Sequence, residues 1–66
     1  MASNDYRLVV KQAGHTLDTY QRETFEAAYE GWIILIDYGK DTITPTIERH
    51  VDGEWVEIDP ATREAV

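Results

Sequence analysis

Residues 31–39 read GWIILIDYG, and the fold turns on whether they coil or extend. Two architectures compete. In the first, a helix opens at the N-cap Thr24, runs to Tyr38 and is closed by Gly39. In the second, a helix begins earlier and ends at Gly31, and residues 32–38 form a buried strand. The β-branched and aromatic content of those residues supports the strand. A glycine inside a helix also costs about 1 kcal/mol. Against that, a helix that starts at the Thr24 cap and stops at Gly31 has roughly one or two turns. Glu23 and Glu26 stand near its positive end, as a true helix start prefers. The long helix is favoured.

The segments on either side are extended. YRLVVKQ, residues 6–12, sends Tyr6, Leu8 and Val10 one way and Arg7, Val9 and Lys11 the other. Ala13-Gly14 is a turn. HTLDTYQ, residues 15–21, pairs back as a second strand on its Thr and Tyr content, although its alternation is poor. Downstream, TIERHVDGEWVEID, residues 46–59, is a hairpin about Asp52-Gly53, because a type I′ turn needs positive φ at both central residues. The register follows from that turn. Val51 faces Glu54, His50 faces Trp55, Arg49 faces Val56, Glu48 faces Glu57, and Ile47 faces Ile58. Ile47, Val51, Val56 and Ile58 share the face toward the helix, with the stem of Arg49 over them. Pro45 and Pro60 fall at strand ends, where a missing donor does little harm. The order is ββαββ, an α+β fold with one helix packed on a small antiparallel sheet. The alternative is βαβββ, with residues 32–38 as a strand. Residues 1–66 make one domain, with 1–5 and 60–66 expected to fray.

On a helical wheel, Phe25, Ala28, Tyr29, Trp32, Leu35 and Ile36 form one broad apolar stripe. Glu26, Glu30 and Asp37 form a narrow acidic wedge. A second stripe holds Ala27, Gly31, Ile34 and Tyr38, at helix–helix spacing. One sheet covers one stripe, so the second asks for a partner, and a second copy of the chain is the simplest. A homodimer through Ala27, Gly31, Ile34 and Tyr38 is therefore expected. The competing arrangement has a loop or terminus of the same chain over that stripe.

The net charge is −7 and unevenly placed. Residues 1–22 carry Arg7, Lys11 and Arg22 against Asp5 and Asp18, a balance of +1; residues 23–66 carry eleven acids against Lys40, Arg49 and Arg63, a balance of −8. Direct nucleic-acid binding needs a basic footprint and is not expected. A partner protein with a basic surface is. The chain has no cysteine, which removes disulfides and thiolate metal sites. No apolar run approaches the ~20 residues that span a bilayer, and MASNDYR lacks the pattern of a signal peptide. A soluble, cytoplasmic protein without membrane contact is expected.

Catalysis finds little footing. Ser3 is the lone serine, and no Ser–His–Asp set is visible. Glu48 and Glu57 should stand directly opposite each other, which costs stability, but a chain this small has little volume for a pocket around them. HTLD and HVD do not have metal-ligand spacing, and no glycine-rich phosphate loop is present. No enzyme, cofactor or metal is expected. The outer face of the hairpin offers something else. There Trp55 and His50 make an aromatic contact ringed by Glu48, Glu57 and Asp59, a candidate partner-binding surface. The alternative is that His50 and Trp55 stack as a cross-strand pair while Arg7 and Lys11 neutralise the acids.

A strand pair, a helix opening ETFEAAYEG and a hairpin of the form TIERHVDGEW, over residues 6–59, resembles short accessory proteins encoded by bacteriophages. The resemblance implies a non-enzymatic protein that binds and inhibits a host protein, such as RNA polymerase, a nuclease or a defence factor. Some such proteins are acidic mimics of nucleic acid, and others sequester small nucleotides. The first expectation is thus a small acidic inhibitor that occupies a surface on its partner. A nucleic-acid mimic is the second. The third is a small-molecule or nucleotide sponge with its site at a dimer interface, where Arg22, Lys40 or Arg49 would converge.

Overall fold

The stretch GWIILIDYG is helical throughout, and residues 32–38 are not a strand: α1 spans Phe25–Gly39 in the computed structural model. Residues 5–39 and 42–66 are described. The remaining elements are β1 (Tyr6–Gln12), β2 (His15–Arg22), β3 (Thr44–Val51) and β4 (Glu54–Ile58). The order ββαββ holds. All strand pairs are antiparallel, and the sheet runs β2-β1-β3-β4.

Local chemistry explains the element ends. Thr24 caps the helix, with the Ala27 amide donating to its Oγ1 at 3.2 Å. Ala13 and Gly14 have φ of 52° and 82°, and Asp52 and Gly53 have 49° and 83°. Both hairpins therefore close on type I′ turns. The β3–β4 register is the one the turn demands, from Val51↔Glu54 to Ile47↔Ile58. The poor alternation of β2 has a cause. Its register against β1 shifts between Val10 and Lys11, and Leu17 faces no partner, which is a bulge.

The far end of the helix departs from expectation. Gly39 is its last residue rather than a left-handed cap, since the positive-φ glycines among the described residues are Gly14 and Gly53. Its carbonyl accepts from the Thr42 and Ile43 amides at 2.8 and 3.1 Å and from the Thr42 hydroxyl at 3.0 Å. A Cβ at position 39 would collide with Ile43, so glycine is needed there for clearance.

The core lies between α1 and the middle strands. Leu8, Phe25, Ala28, Ile47 and Ile58 form it, with Tyr6, Trp32 and Leu35 packed against it. Leu8 and Ile47 are directly opposite across β1–β3, and Ile47 and Ile58 across β3–β4. The helix packs mainly on β3 and β1 and barely reaches β2. An aromatic row, Tyr6–Phe25–Tyr29–Trp32, ties the helix to the sheet, and the Trp32 indole donates to the Pro45 carbonyl at 3.1 Å. Gly31 is where the helix comes closest to β1. A Cβ there would stand 2.5 Å from Leu8 Cδ1.

Residues 60–66, expected to fray, fold back instead. Ala65 bridges Ile58, and the Val66 amide donates to the Glu57 carbonyl at 3.1 Å. Arg63 lies 4.4 Å over the Phe25 ring and 3.4 Å from the Glu26 carboxylate. This tail gains cation–π and backbone contacts that its composition does not advertise. Of the N-terminal stretch expected to fray, residues 1–4 lie outside the described residues, as does Lys40. No helix among the described residues is long and apolar enough to cross a membrane.

Candidate functional site

Two surfaces compete for a functional role. The first is the sheet face away from the helix. The Asp52-Gly53 turn places Glu48, His50, Trp55 and Glu57 there, and the β1–β3 register sets Arg7 beside Glu48. Arg7 Nε donates to Glu48 Oε1 at 2.6 Å. The same guanidinium lies 4.4 Å from the centre of the Trp55 ring. His50 packs on Trp55 with ring centres 4.9 Å apart. Trp55 is half-buried but stands outside the core. Of the five residues expected to bind a partner, Trp55, His50 and Glu48 therefore meet in one cluster, with Arg7 at its centre. Glu57 is exposed opposite Glu48. Asp59 leaves the group: its Oδ1 accepts from the Ala61 amide at 2.8 Å and holds the turn that starts the C-terminal tail. Lys11 is at the other end of β1, opposite Thr44, too far along the strand to neutralise these acids. Arg7 thus satisfies both the most buried acid and the indole face, leaving this surface largely self-contained.

The second surface is the helix. Of its broad stripe, Phe25, Ala28, Trp32 and Leu35 meet the core, but Tyr29 and Ile36, expected with them, lie at its edges and are exposed. Ile33, Ile34, Ile36 and Tyr38 are 45%, 61%, 42% and 90% exposed. With Trp32 and Asp37 these side chains line a shallow depression of about 490 Å³. On the β2 side, Gly31, Ile34 and Leu35 form one wall of a groove of about 190 Å³; Tyr20 and Arg22 form the other, with Leu8 at its base. The groove exists because β2 has no helix over it. The expected dimer stripe is divided by this arrangement. Gly31 is spent on Leu8 within the monomer, Ala27 is half-buried, and Ile34 and Tyr38 remain open. Ile33 belonged to neither stripe. The signal for it was the unbroken apolar run Trp32–Ile36, longer than a single stripe can bury.

Electrostatics separates the two ends of the groove. Asp18, Tyr20 and Arg22 alternate on the helix side of β2, across from Val10, Leu8 and Tyr6. A hydrogen bond to Asp18, and then its charge, hold the Tyr20 phenol above its ordinary value of 10.0, while Arg22 pulls the other way. Arg22 and Arg49 flank Tyr6 in one row across three strands. Arg22 turns one nitrogen back to the Gln21 carbonyl at 2.7 Å. His15 pairs with Gln12 and His50 with Trp55, at opposite ends of the sheet. Among the described residues no three His, Cys, Asp or Glu side chains converge on a metal position. No protein-family model, curated protein or solved structure matches the chain.

Proposed function

We propose that the protein is a non-catalytic binding module that occupies an apolar, basic-rimmed surface on another protein and inhibits it by occupancy. The observation that carries this reading is the exposure of Ile33, Ile34, Ile36 and Tyr38 on a helix whose sheet-facing side is already covered. At about 200 Å² for a large side chain, those exposures leave roughly 500 Å² of apolar surface, toward the upper end for a monomer (about 300–600 Å²). The largest apolar patch on a monomer is often its functional surface. Asp37 lies within this patch, and Glu26 and Glu30 continue the acidic line along the helix. An acidic rim beside apolar anchors suits a partner with apolar pockets and surrounding lysines or arginines. The resemblance to phage accessory proteins implies the same kind of activity.

A second reading rests on Trp55, which packs against Arg7 and His50 while part of it stays exposed. A packed, partly open indole has the character of a hot spot. Affinity capture from the source cell, followed by mass spectrometry, separates the two. The helix reading expects Ile33→Ser with Ile36→Ser to abolish capture of a specific protein while unfolding stays cooperative, and Trp55→Ala to leave it. The reverse pattern moves the site to the sheet. A wild-type chain that captures nothing above an unrelated acidic control defeats both.

A further inference from the structure

We propose that two copies of the chain join edge to edge through β2, antiparallel about a two-fold axis at Tyr20, into one continuous sheet with both helices on the same face. This rests on the sheet edge, independently of the partner proposed above.

The two edges of the sheet are unlike. The outer side of β4 is partly covered by the returning tail, through the Ile58–Ala65 bridge and the Val66 amide. β2 is an eight-residue edge strand, paired with β1 on one side and with no strand on its outer side among the described residues. Native edges are blunted by charged side chains, proline, bulges, short length or a covering element; on β2 the charges are Asp18 and Arg22, of opposite sign. β2 contains no lysine or proline and has no helix over it. Its bulge lies at Leu17, so Asp18–Arg22 pair regularly with β1 and present a regular outer side.

Charge selects both the occupant and the register. Asp18 and Arg22 stand two residues on either side of Tyr20, all three facing the helix side. In an antiparallel pairing centred on Tyr20, that residue meets its own copy. Asp18 then faces Arg22 of the second copy, and Arg22 faces its Asp18. One register therefore creates two opposite-charge pairs. Centring on Asp18 or on Arg22 would instead bring like charges together, which is unfavourable. Centring on Thr19 or Gln21 keeps the same faces but leaves Asp18 and Arg22 opposite uncharged residues, so the Tyr20 register is the one among these that pairs the charges. A chain of net charge −7 resists self-association in general, but residues 1–22 carry +1, so two copies meet least repulsion along this edge. The open groove lies above the same strand. Joining the edges brings Tyr20, 39% exposed, from both copies to the junction and closes the groove's open side.

The test is light scattering and sedimentation across a concentration series, with circular dichroism to confirm that each variant folds. Wild type should move from 7.6 kDa to twice that mass as concentration rises. Asp18→Arg alone and Arg22→Asp alone should each weaken association roughly tenfold, since each replaces two attractive cross-strand pairs with repulsive ones. The double variant Asp18→Arg/Arg22→Asp should recover most of the loss. Hydrogen exchange on wild type gives a second measure that needs no variant: amides within Asp18–Arg22 should gain protection as concentration rises. A monomer at every concentration overturns the proposal. So does a dimer indifferent to both single reversals, or one whose β2 amides show no added protection.

Discussion

Replacing Gly31 with alanine sets helix propensity against packing, and the outcome depends on where the helix sits. In a helix interior, alanine should stabilise by about 1 kcal/mol. Here the added Cβ would stand 2.5 Å from Leu8 Cδ1 and 3.9 Å from its Cγ. Carbon atoms rest about 3.5–4.0 Å apart, so Leu8 must retreat by roughly an ångström. It is 1% exposed and stands opposite Tyr20 on one side and Ile47 on the other, so retreat disturbs two neighbours. Overpacking of this kind costs about 1–3 kcal/mol. The net expectation is a loss of about 1 kcal/mol, or roughly 4–8 °C in Tm for a domain of this size. Urea unfolding followed by circular dichroism measures it. Leu8→Val removes the obstructing methyl. On that background Gly31→Ala should change sign and stabilise, because the propensity gain survives and the collision does not. The coupling between the two sites should be at least about 0.5 kcal/mol. If alanine gave its full stabilisation with Leu8 intact, or the same effect on both backgrounds, the close approach of α1 to β1 would be refuted. If Gly31 served a helix–helix seam between copies instead, the substitution would change association and leave monomer stability improved.

Three further outcomes follow from single contacts. Ala13 has φ of 52°, a left-handed conformation that costs a non-glycine residue about 1–2 kcal/mol. Ala13→Asn should raise stability by about 0.5–1 kcal/mol in urea unfolding; no gain would speak against the type I′ turn. Arg7 serves Glu48 and Trp55 together, so Arg7→Met should cost about 1–3 kcal/mol and open the indole to solvent, read by acrylamide quenching on a Trp32→Phe background. An unchanged quenching constant would mean that the guanidinium does not cover the ring. Tyr20 titrates above 10.0 in the folded chain because Asp18 accepts its proton's hydrogen bond. The folded state then holds that proton more tightly than the unfolded state does. The resulting stability is present in full below pH 10.0 and is lost as pH rises through the folded value. Tyr20→Phe should flatten the alkaline decline in Tm, and an identical decline in both chains would remove the Asp18 contact.

Much of the fold could be read from short stretches. The hairpin of residues 46–59 has the register that Asp52-Gly53 imposes, pair by pair, because a two-residue turn leaves one way to align its strands. Thr24 caps α1 as its side chain allows, and the helix continues through Gly31 because packing offsets one weak residue. The Trp55–His50 contact followed from the same register. Other features were not legible. That β1 lies between β2 and β3 depends on a pairing about forty residues apart, Arg7↔Glu48 among them. The same pairing decides that Arg7 covers Trp55, making the expected binding surface largely self-contained. Gly31 and Gly39 looked like a seam residue and a cap, and both proved to be clearances for a particular side chain, Leu8 and Ile43. Nothing in PATREAV foretells that Arg63 will find Phe25.

The division has a physical origin. Turn chemistry, capping and alternation act over a few bonds, so neighbouring residues suffice to set strand faces, helix limits and hairpin register. Strand order, close contacts and surface exposure depend on which distant side chains compete for the same space. For this chain, that competition left β2 uncovered and a row of isoleucines facing solvent.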